Sequence, residues 1–271
     1  MKFSVLMSLY FKDDPNHFEE AFRSISEYQT LKPNEIILIV DGPIPNKLRV
    51  KVEEFKKNCS YLKVYYLQQN KGLGNALNYG LQQCSYDFVA RMDSDDVSVH
   101  NRFEKQVNYL ITNPDIVVLG SYITEFNTTI VDDNQLKKVP LSSSEIEKLL
   151  KTRNPLNHMT VIFNRQKILD IGSYHNVSYV EDYELWIRCV IEGYHIENLP
   201  ESLVYARIGN GMLKRRSNRA YISSWYSINL LMLKNRLIGR LELLRNMFLI
   251  ISFIYMPIFI KNFMYRIYLR T

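Results

Sequence analysis

The sequence predicts an α/β fold: a mostly parallel central sheet flanked by helices, followed by a helical tail. Three observations predict it. Short apolar runs alternate with amphipathic stretches from Lys2 to Met92, the pattern of successive βα units. Glu35-Ile36-Ile37-Leu38-Ile39-Val40 is a near-continuous apolar run that stops at Asp41-Gly42-Pro43, as expected of a central parallel strand meeting a turn. The polar clusters fall where such strands end, at Ser8 to Tyr10, Asp41, and Asp93 to Asp96. Open α/β sheets bind their ligands at that edge.

The elements follow in order. Lys2 to Leu9 reads as a buried strand. Asp14-Pro15 opens a helix, with Asp as N-cap and Pro at the first helical position. Phe18, Ala21, Phe22 and Ile25 lie at helical spacing on one face. After the strand ending at Val40 come a helix near Lys47 to Lys57, a strand at Leu62 to Leu67, and a helix from Leu73 to Cys84 that turns Leu73, Ala76, Leu77, Gly80 and Leu81 inward. The strand Phe88 to Met92 runs into Asp93-Ser94-Asp95-Asp96. Beyond Asn101 the pattern gives a helix (Phe103, Val107, Leu110), a strand (Ile116 to Ile123) and a polar stretch from Asn127 to Pro140. A short helix begins at Ser142 or Ser143, with Glu145 placed for a capping box. Met159 to Phe163 reads as a strand and Asp182 to Glu192 as a helix.

Composition separates the body from the tail. Residues 210–271 hold eleven Lys or Arg and one acid, Glu242, whereas the first 209 residues carry 23 bases and 27 acids. A mildly acidic body joined to a basic tail points to two surfaces with different partners. The expected division is a catalytic domain over 1–209 and a tail over 210–271. Phe248 to Ile260 is uncharged and apolar but too short to span a bilayer, and Pro257 interrupts it. Arg236, Arg240, Arg245, Lys261, Arg266 and Arg270 flank it. That suits helices lying in a membrane interface; the alternative is a helical hairpin packed on the domain. Cys59, Cys84 and Cys189 have no metal-site spacing and read as reduced thiols. Met1 to Leu9 lacks the cleavage site of a signal peptide.

Asp93-x-Asp95-Asp96 is the sharpest chemical feature. Adjacent carboxylates repel unless a cation neutralises them, and an all-oxygen set favours Mg2+ or Mn2+ shared with a substrate diphosphate. The alternative is a helix N-cap. An EF-hand is excluded, because the loop position that needs Gly is Ser98. Asp41 suits either a turn or a bond to a base or ribose. Asn70-Lys71-Gly72-Leu73-Gly74-Asn75 opens a helix, where phosphate or a ribose edge is well placed. Asp182, beside Glu181 at a helix start, suits a general base as well as an N-cap. His158 suits a satisfied loop histidine; Arg207, Lys214, Arg215 and Arg216 suit a diphosphate, solvent or lipid head groups.

These residues resemble family 2 glycosyltransferases of the GT-A fold, nearest to the amylovoran-biosynthesis branch. The matching segments are Phe3 to Tyr10, Glu35 to Gly42, Asn70 to Gly80, Ala90 to Asp96, Asn157 to Thr160 and Glu181-Asp182. The resemblance covers roughly Met1 to Arg216. It implies a nucleotide-sugar donor whose uracil or thymine meets Ser8, Tyr10 and Asp41. Asp93 would contact ribose or assist the metal, and Asp95 would bridge Mn2+ or Mg2+ to the diphosphate. Asp182 would be the general base. Lys71, His158, Glu181 and Arg207 complete the expected substrate-binding set. The implied acceptor is a lipid-linked saccharide on a polyprenyl diphosphate, met by a peripheral enzyme at the anionic cytoplasmic face of the inner membrane. Nucleic acid is not an expected partner.

Two departures stand out. Relatives often carry Asp-Asp where this chain has Val40-Asp41, and many carry a metal-binding His whose counterpart here is Gly209. Other functions sit less well. A sugar nucleotidyltransferase would carry a Gly-rich loop after the first strand, where this chain has Ser8-Leu9-Tyr10-Phe11. A retaining glycoside hydrolase needs two carboxylates but not the Asp93 to Asp96 cluster. A basic adaptor binding lipid or nucleic acid accounts for the tail but not for acids at strand ends.

Overall fold

The structure, a computed structural model, describes residues 1–130, 135–208 and 219–256. Its first half is the expected βα series: β1 (Phe3–Leu9), α1 (Pro15–Ile25), β2 (Glu35–Val40), α2 (Asn46–Asn58), β3 (Leu62–Tyr66), α3 (Leu73–Gln83) and β4 (Phe88–Met92). The cap on α1 is the expected one: Asp14 Oδ1 accepts from the backbone N–H groups of Asn16 and His17 at 2.8 and 3.2 Å. Gly80 marks a close approach of α3 to the sheet. A Cβ there would lie 2.4 Å from Leu6 Cδ1 and 2.8 Å from Ile39 Cγ1, so a larger residue would force these side chains or the helix to shift.

The chain continues through β5 (Val97–Ser98), α4 (Arg102–Thr112), β6 (Ile116–Phe126), β7 (Gln135–Lys137), α5 (Ser143–Leu150), a 3-10 turn (His158–Thr160), β8 (Ile162–Asn164), α6 (Arg165–Asp170), α7 (Glu181–Ile191) and β9 (His195–Arg207), then α8 (Arg219–Lys234) and α9 (Arg240–Tyr255). Among the described residues these strands form one nine-stranded sheet in the order β3-β2-β1-β4-β8-β6-β9-β5, with β7 on β6. The half from β3 to β4 is parallel. Beyond β4 the sheet is mixed: β8 runs antiparallel to both β4 and β6, and β9 runs parallel to β6.

Two details differ from the sequence reading. The strand expected from Met159 starts only at Ile162, because Thr160 closes a turn through its N–H and hydroxyl onto the Asn157 carbonyl, at 2.9 and 2.8 Å. The strand β9 was not expected at all. Pro200 argues against a central strand, and the pairing with β6 absorbs it as a bulge: Leu199 faces Ser121 and Ser202 faces the next residue, Tyr122.

The sheet buries both faces. On one side Val5, Met7 and Leu38 pack with Phe18, Phe22, Val52 and Phe103 of α1, α2 and α4. On the other, Leu6, Ile37 and Ile39 pack with Ala76, Leu77 and Trp186, and the same cluster takes in Ile228, Met232 and Ile250 of α8 and α9. Residues 219–256 therefore pack on the body along one side.

One buried polar network ties the parallel strands together. Glu35 is 3% exposed and accepts from the Ser4 hydroxyl (2.7 Å), the Ser85 N–H (2.5 Å) and hydroxyl (3.0 Å), and Lys63 Nζ (2.7 Å). Burial pushes the carboxyl up, but the bonds from Lys63, Ser4 and Ser85 outweigh it and hold Glu35 below its ordinary 4.5. A depressed folded value means stability that is present above pH 4.5 and lost as pH falls through the lower folded value. Glu35→Ala should cost about 1–3 kcal/mol in urea unfolding at neutral pH and weaken the acid-side decline seen in wild type.

Candidate active site

The registers Leu9↔Val40 and Met7↔Met92 set the carboxyl ends of β1, β2 and β4 side by side. Ser8, Tyr10, Asp41 and Asp93 thus share one edge. Asp41 is buried there and closes a turn. Its N–H donates to the Leu9 carbonyl at 2.7 Å, and its carboxylate accepts from the N–H groups of Lys71 and Gly72 at 2.8 and 2.9 Å. Gly42, at φ +87°, permits this approach: a Cβ would sit 2.5 Å from the Asn70 nitrogen. Burial raises the Asp41 carboxyl against the pull of the two backbone bonds. Asp41 therefore has the turn-forming role foreseen as one alternative. A carboxylate offers about four lone-pair sites, so capacity remains for a base or ribose. Lys71 contributes its backbone to this lock, and its side chain stays exposed.

The acidic run lies between β4 and β5. α4 starts at Arg102 behind Asn101, so Asp93, Asp95 and Asp96 cap no helix. Arg91, fully buried in β4, donates to Asp93 Oδ1 at 2.5 Å. Arg102 donates to the Arg91 carbonyl at 2.8 Å, and burial, with the Arg91 charge, pushes it down to about 9. Asp96 is buried. Its Oδ1 accepts the Arg207 N–H at 2.8 Å and its Oδ2 has no partner among the described residues. Burial, then Asp93 and Asp95, raise its carboxyl well above the usual range.

Sequence reasoning missed Asp13. Its Oδ2 accepts the Tyr10 N–H at 2.8 Å. Burial raises it to about 7 against bonds from Tyr10 and Ser94, and the Asp95 and Asp93 charges add to the rise. The one signal was a second acid beside Asp14, where the helix needs a single cap. Arg91, a cation inside an apolar strand, was missed too.

An unpartnered buried carboxylate oxygen and two carboxyls raised chiefly by burial, with like charges adding to the rise, fit a divalent cation: the donors are all oxygen, and a cation would relieve the repulsion. Among the described residues no group of three or more His, Cys, Asp or Glu side chains forms a ready cage. Diphosphate oxygens and water would have to complete the sphere, as is usual for Mg2+. Gly209, the counterpart of a metal-binding His, and Lys214, Arg215 and Arg216 lie outside the described residues.

Asp182 comes to the same region from α7. The N-cap is Val180, so Asp182 is not the cap; Asn154 Nδ2 donates to its Oδ2 at 2.6 Å and orients it. Gly74, at the start of α3, abuts this segment: a Cβ there would lie 2.5 Å from the His175 carbonyl oxygen and 3.4 Å from Glu181 Cβ. The buried Tyr174 hydroxyl, raised chiefly by burial, also feels Arg91, Asp182 and Asp93.

The sequence from residue 4 to residue 172 matches the family described as Glycosyl transferase family 2. The chain belongs to that family. It is 40% identical over 222 residues to the amylovoran biosynthesis glycosyltransferase AmsE of Erwinia amylovora, with 82% of each chain covered. It is 39% identical over 223 residues to the UDP-Gal:alpha-D-GlcNAc-diphosphoundecaprenol beta-1,3-galactosyltransferase of Escherichia coli, covering 82% of this chain and 80% of that one. The crystal structure of S. aureus TarS 1-349 in complex with UDP-GlcNAc superposes with a TM-score of 0.67 at 20% identity, over 93% of this chain and 72% of that one. The fold is the GT-A fold of such glycosyltransferases.

In this family 2 glycosyltransferase two expected substrate contacts lie deeper than foreseen. His158 is buried, with Nε2 3.0 Å from the Tyr174 hydroxyl. Burial and the Arg91 charge hold it well below the histidine range, so it is a neutral support of Tyr174, the satisfied histidine foreseen as one alternative. Arg207, its side chain 5% exposed, braces the acidic loop. Its Nε donates to the Asp95 carbonyl at 3.0 Å, a second nitrogen to Glu20 at 2.6 Å, and its guanidinium lies 4.5 Å from the Phe126 ring centre.

Proposed function

We propose that the protein transfers a hexose or N-acetylhexosamine, with inversion, from a UDP-sugar to a polyprenyl-diphosphate-linked saccharide in O-antigen or exopolysaccharide repeat-unit synthesis. The observation that carries this is that Asp41 and Asp93 to Asp96 stand at neighbouring strand ends along one edge of the sheet, with Asp182 opening a helix whose first residue, Glu181, lies against Gly74 at the start of α3. The 39% identical E. coli relative, named for UDP-Gal and a GlcNAc-diphosphoundecaprenol, supports the donor and acceptor classes.

In this reading Ser8, Tyr10 and Asp41 receive the uracil, and Lys71 and Glu181 flank the donor. Asp182 takes the proton of the acceptor hydroxyl as its oxygen bonds to the anomeric carbon and the bond to the diphosphate breaks. Asp95 and Asp93 would hold Mn2+ or Mg2+, which supplies charge neutralisation for the departing nucleoside diphosphate. Arg91 sets the Asp93 carboxylate and Arg207 sets the backbone of Asp95. Such an acceptor calls for a peripheral enzyme at the cytoplasmic face of the inner membrane, and the reading takes the protein to work there.

The test is incubation with a panel of nucleotide sugars and a short lipid-diphosphate-sugar acceptor, followed by mass spectrometry. The reading expects one hexose or N-acetylhexosamine added from a uridine donor. Donor consumption without acceptor glycosylation would point to a hydrolase, and binding to lipid without turnover to an adaptor.

A further inference from the structure

The helix α9 carries a row of large apolar side chains on its outer side. Leu241, Leu244, Phe248, Ile251 and Tyr255 recur three and four residues apart, which aligns them along one face, and they are between 41% and 83% exposed. The helix cannot roll to hide them, because its opposite side is pinned. Asn246 is buried and donates at 2.8 Å to both the Lys151 carbonyl and Asn229 Oδ1, and Ile250 is buried beside it. Exposed apolar rows of this size mark a contact surface.

The charges around the row identify the partner. Arg240 and Arg245 of α9 are exposed, as are Lys234 and Arg236 just ahead of it in the chain. The single acid in residues 219–256, Glu242, is turned onto the Gly239 N–H at 2.7 Å. Past the described residues the sequence adds Lys261, Arg266 and Arg270 and no acid. An apolar face rimmed by cations complements an anionic lipid surface. Pairing two copies of the face would instead bring like charges together. At 16 residues the helix is about 24 Å long, short of a hydrocarbon core of about 30 Å, and no described helix is long and apolar enough to cross a membrane.

We propose that this face of α9 seats the protein on an anionic bilayer, with the helix lying in the interface. The purpose assigned to it, meeting a lipid-linked acceptor, rests on the function proposed above. The helix α9 shares a core cluster with α8, and Trp225 of α8 lies 5.7 Å, centre to centre, from the ring of Tyr183, the residue after Asp182.

The test is flotation of the full chain with vesicles of phosphatidylcholine alone or mixed with phosphatidylglycerol, for wild type, for Leu241→Ser/Leu244→Ser/Phe248→Ser, and for Arg240→Gln/Arg245→Gln. Wild type should float with the mixed vesicles far better than with phosphatidylcholine. The triple variant should partition on the order of 100-fold more weakly, with unchanged melting and unchanged turnover of a water-soluble acceptor. The arginine variant should lose most of the preference for phosphatidylglycerol. Equal flotation of wild type and the triple variant, or no flotation of wild type, would overturn the proposal. So would a wild-type dimer that the triple variant dissolves, which would assign the row to a second copy. Flotation needs no donor, so its failure leaves the proposed transfer standing, and absent turnover with intact flotation would sink the transfer alone.

Discussion

Asp182→Asn should leave UDP binding close to wild type while transfer falls by roughly 10²–10⁴-fold, the usual contribution of a positioned general base. The substitution keeps the shape of the side chain and its bond from Asn154. Asn154 Nδ2 donates to Asp182 Oδ2 at 2.6 Å, and the amide oxygen of an asparagine accepts the same bond. The lost property is basicity. Single-turnover product formation measured beside calorimetric UDP binding separates the two effects. Transfer near the wild-type rate would remove Asp182 from the role of base, and a parallel loss of UDP affinity would make it a binding residue.

Asp95→Ala should remove most metal-dependent transfer, a loss of roughly 10²–10³-fold by comparison with removal of other strong electrostatic stabilisers. The fold should survive, because Asp95 anchors Arg207 through its backbone carbonyl, which alanine retains. Chelating the metal from wild type should reproduce the loss, and added Mn2+ or Mg2+ should restore wild type but not the variant. Full restoration of the variant would show that Asp95 holds no essential cation.

Much of the parallel half was legible because local and global signals agree there. The apolar run from Glu35 to Val40 became β2, buried throughout, and Asp14-Pro15 capped α1 as read. Ser142 and Glu145 form the capping box expected before α5. The mixed half was harder because its pairing is non-local. Pro200 disguised β9, and only the bulge opposite Ser121 and Tyr122 accommodates it. The strand ends named Asp41 and Asp93 to Asp96 correctly as neighbours of one edge, since registers follow from parallel order. Burial is what the residue types did not disclose. It engages Arg207 and His158 within the support of the site, and it brings in Asp13 and Arg91 from positions that look like a helix cap and a strand interior.

Burial, with like charges adding to it, explains the electrostatics of that edge. Asp13, raised to about 7, and Asp96, raised beside Asp93 and Asp95, are carboxyls held close in a buried place, with the Arg91 bond to Asp93 as partial relief. Such an arrangement costs stability unless its purpose is to receive positive charge.

The most direct measurement is anomalous diffraction from crystals grown with UDP and Mn2+. The account predicts one Mn2+ peak at about 2.2 Å from an Asp95 carboxylate oxygen, near the hard-cation coordination distance. The uracil should lie between Tyr10 and Asp41, and Asp182 should face the open side of the diphosphate. A nucleotide bound away from the ends of β1, β2 and β4, or a Mn2+ that touches neither Asp93 nor Asp95, would contradict it.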